Sequence, residues 1–125
     1  MSTTQVRVVG AGVAFLAIFL SGIWVSLTGK PYSTLSFTVH KLVGLALGVL
    51  LGVIVYQTNQ SAPFGAVQIA AIAVTVLLFV GTVAAGGVLS VVEEVPAVAL
   101  RLHQIVPVLA VLSTAGTLYL LLSGR

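Results

Sequence analysis

The sequence alternates between four long apolar runs and three short polar segments. A helix needs about 20 apolar residues to cross the hydrocarbon core of a bilayer, and each run is about that long or longer. Backbone amides and carbonyls in lipid must be hydrogen-bonded within the protein, by helices or by a closed β-barrel. A barrel would need alternating segments of about ten residues, and none is visible, so helices are expected for these runs. The pattern predicts helices over about residues 6–28, 34–56, 66–90 and 96–122.

The polar segments contain residues that are typical of helix ends. Gly29 and Pro31 are expected to end the first helix, and Ser33 is a candidate N-cap for the second. Gln57–Gly65 has the composition of a turn, and Pro96 suits the first position of the fourth helix. Short connections place consecutive helices antiparallel, so we expect an all-α, transmembrane, up-down-up-down four-helix bundle that forms a single domain.

Composition places this bundle in a membrane. Hydrophobic residues make up 59% of the chain and charged residues only 6%, with a mean hydropathy of +1.25, whereas soluble domains average about 25% charged residues. We expect an integral protein of a prokaryotic cell membrane, with the lipid bilayer as its first partner. The first run, Val8–Leu27, is longer than the apolar region of a signal peptide and is expected to be retained. The formal charge of +3 is spread along the chain and does not indicate nucleic-acid binding.

The two histidines of the chain lie near the starts of two apolar runs. His40 is seven residues beyond Ser33, and His103 is seven residues beyond Pro96. At 1.5 Å per residue, each lies about 10 Å into its helix. The second and fourth helices of an alternating bundle run parallel, so both imidazoles are expected at similar depth on the same side of the membrane.

A polar side chain at this depth is costly and usually faces a partner inside the bundle. Each neutral imidazole keeps a lone pair that suits a metal. Zinc needs more protein ligands than two histidines, the chain has no cysteine, and copper would be equally under-coordinated. Haem needs only axial ligands from the protein. One haem b per chain, with His40 and His103 as iron ligands, is therefore the favoured interpretation; a packing or interface role and another metal stay open.

Basic residues stand beside both histidines. Lys41 follows His40, and Arg101 precedes His103 by two residues. Both could face the propionates of a haem, or both could be ordinary basic side chains that extend to the membrane interface. The sequence leaves these two interpretations equally open.

Glycines lie on the same helices. Gly44, Gly48 and Gly52 form a stripe on the second helix that favours close helix packing in lipid. Gly44 also lies one turn beyond His40, where a missing side chain would let a flat macrocycle approach the backbone. Gly86 and Gly87 on the third helix suit either purpose.

Two stretches of the chain resemble known haem proteins. Phe37–Leu51, "FTVHKLVGLALGVLL", resembles the H-[KR]-x-x-G opening of a ligand helix in four-helix membrane cytochromes b. Residues 77–90, "LLFVGTVAAGGVLS", followed by residues 96–112, "PAVALRLHQIVPVLAVL", are similar to the last two helices of one half of haem A synthase. The resemblance implies that His40 and His103 are haem ligands.

The chain also departs from both families. Haem A synthase uses a carboxylate and further histidines within the membrane, and every predicted span here lacks an acid. Di-haem cytochromes need four ligands, and this chain has two histidines. We therefore expect a single-haem cytochrome b that transfers one electron at a time, as a carrier or redox-complex subunit rather than a free-standing enzyme.

Other functions and the membrane orientation stay open. A quinone or quinol is the expected redox partner, and a homodimer or partner redox subunits are further candidates. The alternatives are a structural accessory subunit and a haem storage or delivery protein. If Lys41 and Arg101 pair with propionates, the basic residues left to set the orientation are Lys30 on one side of the membrane and Arg7 and Arg125 on the other. The side with more basic residues is expected to be cytoplasmic, which favours cytoplasmic termini and a haem toward the outer face.

Overall fold

The computed structural model describes residues 1–123 as four α-helices with short connections. The helices are α1 (Thr3–Thr28), α2 (Thr34–Ser61), α3 (Ala66–Val91) and α4 (Ala97–Leu122). All four are long and apolar enough to cross a membrane, and residues 1–123 contain no strand. The all-α class is confirmed, and the chain is an integral membrane protein.

The predicted start of α2 after Ser33 and the predicted end of α1 before Gly29 are confirmed, whereas α1 begins at Thr3, after its N-cap Ser2, rather than at about residue 6. The hydroxyl of Ser33 accepts a hydrogen bond from the backbone N–H of Ser36 at 3.4 Å and caps α2. Gly29 follows α1 with a φ of 66°, a left-handed backbone conformation that glycine adopts without steric cost. Pro96 is the N-cap of α4 rather than its first helical residue.

The end of α2 was predicted wrongly. The helix continues to Ser61 instead of stopping at Tyr56, so the first five residues of the predicted turn are helical. The hydroxyls of Thr58 and Ser61 donate to the carbonyls of the residues four positions earlier, Ile54 and Gln57. The change from apolar to polar composition therefore marks a change of surroundings, while the backbone stays helical.

The described chain divides into two compact units, which we name hairpin 1 (residues 1–63, with α1 and α2) and hairpin 2 (from Phe64, with α3 and α4). In hairpin 1, Arg7 contacts Gln57 and Gly22 contacts His40. This order of contacts makes α1 and α2 antiparallel. The prediction that the whole chain is a single domain stays a prediction.

Hairpin 2 has the same antiparallel arrangement. Gln68 donates to the carbonyl of Leu120 at one end, and Gly86 contacts His103 toward the other. Each hairpin thus forms one up-and-down pair of helices with a five-residue connection.

Hairpin 2 repeats hairpin 1 with a period of 63 residues. Three helix boundaries recur at this spacing: Thr3 with Ala66, Thr28 with Val91, and Thr34 with Ala97. Three of the four buried positions of α2 recur as well, because Leu47, Ile54 and Thr58 correspond to Ala110, Thr117 and Leu121, and all six are buried.

Three of the less common residue types of the chain are identical at this spacing. They are Gln5 and Gln68, His40 and His103, and Tyr56 and Tyr119. The two glutamines have the same function, since each side-chain carbonyl accepts the backbone N–H of the residue that caps its helix, at 2.7 Å. The repeat is therefore visible in local structure as well as in helix boundaries.

Hydroxyl groups join the two helices of hairpin 2. The Thr75 hydroxyl lies 2.6 Å from that of Ser113 and 3.0 Å from that of Thr117, and it donates to the carbonyl of Ala71. We name Thr75, Ser113 and Thr117 the hydroxyl cluster. Away from such contacts, large apolar side chains are exposed on all four helices, which is the surface expected against lipid chains.

Candidate histidine sites

His40 lies against α1 within hairpin 1. It is the seventh residue of α2, and its Nδ1 is 3.0 Å from the hydroxyl oxygen of Ser21. Gly22 lies beside the ring: a Cβ placed there would be only 3.1 Å from the imidazole Cε1. The ring is partly buried, and α1 therefore presents one polar atom and one unobstructed backbone position to it.

His103 has a corresponding position in hairpin 2. It is the seventh residue of α4, and its Nδ1 is 3.0 Å from the backbone carbonyl oxygen of Thr82 on α3. A Cβ on Gly86 would be 2.7 Å from the imidazole Cε1, closer than real Cβ contacts allow. The side chain is partly buried, like that of His40.

The depth predicted for the two histidines within their helices is confirmed. Each histidine lies six residues after the first residue of its helix, Thr34 in α2 and Ala97 in α4. This spacing corresponds to about 9 Å along the helix axis. His40 and His103 also occupy equivalent positions of the 63-residue repeat. In both hairpins the first helix contacts the ring through an oxygen at Nδ1 and a glycine beside Cε1.

The basic neighbours are exposed. The Lys41 ammonium lies 5.1 Å from the ring centroid of Phe37, one turn earlier on the same helix, a distance at which cation–π attraction operates. Arg101 is exposed on the first turns of α4. Both are near the helix start that bears the histidine, and their predicted role with propionates stays a prediction.

The glycine stripe on α2 has two different environments. A Cβ on Gly44 would be 3.4 Å from Ile18 of α1, so Gly44 lies in the helix contact of hairpin 1. A Cβ on Gly48 or Gly52 would meet no atom within 4 Å. Close packing of α2 on α1 therefore depends on Gly44 within this stripe, and the proposed approach of a macrocycle to Gly44 stays a prediction.

The structure adds residues that the sequence prediction missed. Ser21, Gly22 and the carbonyl of Thr82 all contact an imidazole, and none was a candidate; Gly86 was noted without a partner. The spacing of 63 residues between the two histidines is visible in the sequence, and it equals the spacing between the starts of the helices of the two hairpins. The register of α1 on α2, which brings Ser21 to His40, has no comparable signal in the sequence.

Two shallow grooves lie on hairpin 2. One is lined mainly by small residues around the hydroxyl cluster, including Ala70, Ala71 and Gly116. The other, lined by apolar side chains and Gly81, lies between the later part of α3 and the start of α4. In the first groove the hydroxyls of Ser113 and Thr117 are engaged with Thr75, which identifies them as part of the helix contact.

Among the described residues, no group of three or more histidine, cysteine, aspartate or glutamate side chains is placed to hold a metal ion. Comparison of the chain with family models, with curated proteins and with solved structures gives no match.

Proposed function

We propose that this protein is a single-haem b-type membrane cytochrome in which His40 and His103 are the axial ligands of one haem b. The observation that carries the proposal is the equivalence of the two histidines. Each is the seventh residue of the second helix of a repeated hairpin, and each is contacted at Nδ1 by an oxygen of the preceding helix. Two alike nitrogen donors suit the two axial positions that a haem leaves to the protein.

The residues present fit this cofactor better than a bare metal ion. Two imidazoles would leave zinc short of ligands, and the chain has no cysteine. A haem supplies the remaining four nitrogens and an iron that gains or loses one electron. The protein then contributes the two histidines, apolar surroundings, and basic side chains near the helix starts.

Lys41 and Arg101 are proposed to face the propionates. Each lies within two residues of a histidine and is exposed, so its charge can pair with a carboxylate near the membrane interface. The Lys41 side chain already folds back toward the start of α2, where it covers Phe37. That direction leads toward the headgroup region, where a charged carboxylate is least costly.

With both axial positions occupied by protein, outer-sphere transfer of one electron is the chemistry that follows. A quinol or a partner redox subunit is the proposed electron donor or acceptor. The second candidate, a structural accessory subunit, is favoured by the many exposed apolar side chains, but it gives no role to the repeated histidines. Haem storage or delivery is the third.

Purification of the protein after expression with ample haem tests the proposal. We expect red protein with about one haem per chain and a sharp low-spin α-band after reduction with dithionite. His40→Ala and His103→Ala should each abolish that low-spin spectrum. Leu45→Ala and Leu109→Ala, which remove exposed apolar side chains from the same helices, are the matched controls and should keep it.

Each outcome separates the candidates. Colourless wild-type protein would contradict the cytochrome and leave the accessory subunit. A native spectrum in either histidine variant would show that the ligand assignment is wrong. Wild-type protein that binds haem but is not reduced by quinols or by co-purified redox subunits would favour storage or delivery.

A further inference from the structure

We infer that the first helix of each hairpin fixes the tautomer of the imidazole beside it, so that Nδ1 carries the proton and Nε2 carries the lone pair, and that Ser21 is the positioning residue for His40. The consequence for iron binding rests on the proposed function. The tautomer itself is a property of the haem-free chain and is tested there.

The tautomer of His103 follows from its partner. A backbone carbonyl oxygen can only accept a hydrogen bond, and the Thr82 carbonyl lies 3.0 Å from Nδ1. Nδ1–H must therefore be the donor in this contact. A neutral imidazole has a single N–H, so its lone pair is on Nε2.

The tautomer of His40 follows from the one proton of Ser21. That hydroxyl donates to the backbone carbonyl of Ile18 at 3.0 Å. Its oxygen, 3.0 Å from Nδ1, then faces the imidazole as an acceptor. Nδ1–H donates to Ser21, and the lone pair of His40 is on Nε2. Ser21 is buried, so water does not compete easily for this bond.

The oxygen atoms at Nδ1 determine which ring nitrogen carries the proton, and the glycines Gly22 and Gly86 determine how closely each ring lies to the preceding helix. Any larger residue at Gly22 or Gly86 would place a Cβ within 3.1 Å or 2.7 Å of the imidazole Cε1. Each ring therefore lies directly on the backbone of the preceding helix. An oxygen at Nδ1 and the helix surface beside Cε1 together restrict the rotation of the ring.

The two histidines differ in one respect that an experiment can use. The acceptor for His103 is main chain, whereas the acceptor for His40 is a side chain that substitution removes. Histidines that bind metals usually donate their second ring N–H to such an acceptor, and loss of it typically costs 10–100-fold in metal affinity.

The first test is nitrogen NMR on haem-free protein labelled with ¹⁵N-histidine, with His40→Ala and His103→Ala spectra to assign the signals. We expect protonated Nδ1 and unprotonated Nε2 for both rings. Ser21→Ala should change the His40 signals alone toward a mixture of tautomers, and Ser21→Thr should restore them. Thr28→Ala is the matched control: like Ser21→Ala, it removes from α1 a hydroxyl that donates to the carbonyl three residues earlier, and it should leave the signals of both histidines unchanged.

The second test uses haem-loaded protein. Ser21→Ala should weaken haem binding by about 10–100-fold and raise the midpoint potential, because an imidazole without an acceptor at Nδ1 donates less charge to iron. Thr28→Ala should change neither.

Protonated Nε2 on either wild-type ring, or a Ser21→Ala variant with unchanged His40 signals, would overturn the inference. Protein that binds no haem but shows protonated Nδ1 on both rings would contradict the proposed function and support the tautomer assignment.

Discussion

At the scale of single residues, a glycine decides how closely each imidazole approaches the neighbouring helix. Gly86→Ala would place a Cβ 2.7 Å from the His103 ring, so we expect the ring to move and its bond to the Thr82 carbonyl to lengthen or break. Gly22→Ala, at 3.1 Å from the His40 ring, should have the same effect to a smaller degree. The ¹⁵N signals of the two histidines and the bound haem per chain measure both effects.

Gly87→Ala is the control for this prediction. It changes the residue next to Gly86, where a Cβ would meet nothing within 4 Å, and Ala is the better helix former by about 0.5–1 kcal/mol. It should leave the His103 signals unchanged. If Gly86→Ala and Gly87→Ala had equal effects, the role of Gly86 beside the ring would be wrong.

The histidines could be predicted from the sequence because they are rare and polar in apolar runs. Ser21 could not, because its role depends on which face of α1 packs against α2. Small residues such as Gly10, Gly12 and Gly22 occur all around α1, and the five-residue connection does not specify the rotation of the helix. Gly48 and Gly52 illustrate the same difficulty, since they share a stripe with Gly44 but meet no atom of α1.

At the scale of helices, the hydroxyl cluster is the main polar contact between α3 and α4. Thr75→Val would remove the group that Ser113 and Thr117 both contact at almost constant side-chain volume. Hydrogen bonds between membrane helices contribute about 0.6 kcal/mol on average and up to about 1.7 kcal/mol. We expect the variant to unfold about 1–3 kcal/mol more easily, as measured by unfolding of the whole chain in detergent micelles.

Thr114→Val provides the comparison for that measurement. Thr114 is also buried, but its hydroxyl bonds only to the carbonyl of Ala110 in its own helix. Its replacement should cost clearly less than that of Thr75. Equal losses for the two variants would mean that the contacts across the hairpin add nothing to stability.

Helix existence was predictable and helix ends were less so. Length and apolar composition identify four spans, since lipid leaves the backbone few alternatives. Composition reports where a chain leaves lipid, and a helix does not have to stop there. This is why Gln57–Ser61 was assigned to a turn while the backbone of α2 continues through it. Capping residues such as Ser33 carry the more direct information.

At the scale of the whole molecule, the chain is a tandem repeat of a helical hairpin that carries one histidine. The repeat is weak in sequence because many apolar side chains satisfy a lipid-facing position equally well. Among the residues retained at both positions are Gln5 and Gln68, which make the same contact at the helix starts. Because most corresponding positions of the two hairpins carry different residues, the presence of a histidine at both positions 40 and 103 is more informative.

Membrane orientation is a further property of the whole molecule that can be tested. If Lys41 and Arg101 pair with propionates, Arg7 and Arg125 outweigh Lys30, and the positive-inside rule favours cytoplasmic termini; Arg125 lies outside the described residues. The chain has no cysteine, so a single introduced cysteine can report the side of the membrane on which a helix end or connection lies. Thr34→Cys, Val95→Cys and Gln60→Cys replace exposed residues and remove no charge.

We expect an impermeant maleimide to label Thr34→Cys and Val95→Cys in intact cells and Gln60→Cys only after the membrane is opened. Each of these variants should first be shown to bind haem like the wild type, so that labelling reports the native arrangement. The reverse pattern would show that the charge argument is wrong and would place the histidine ends of both hairpins toward the cytoplasm. Labelling of Thr34→Cys and Val95→Cys from opposite sides would be more serious, because His40 and His103 could then not bind one haem at a common depth.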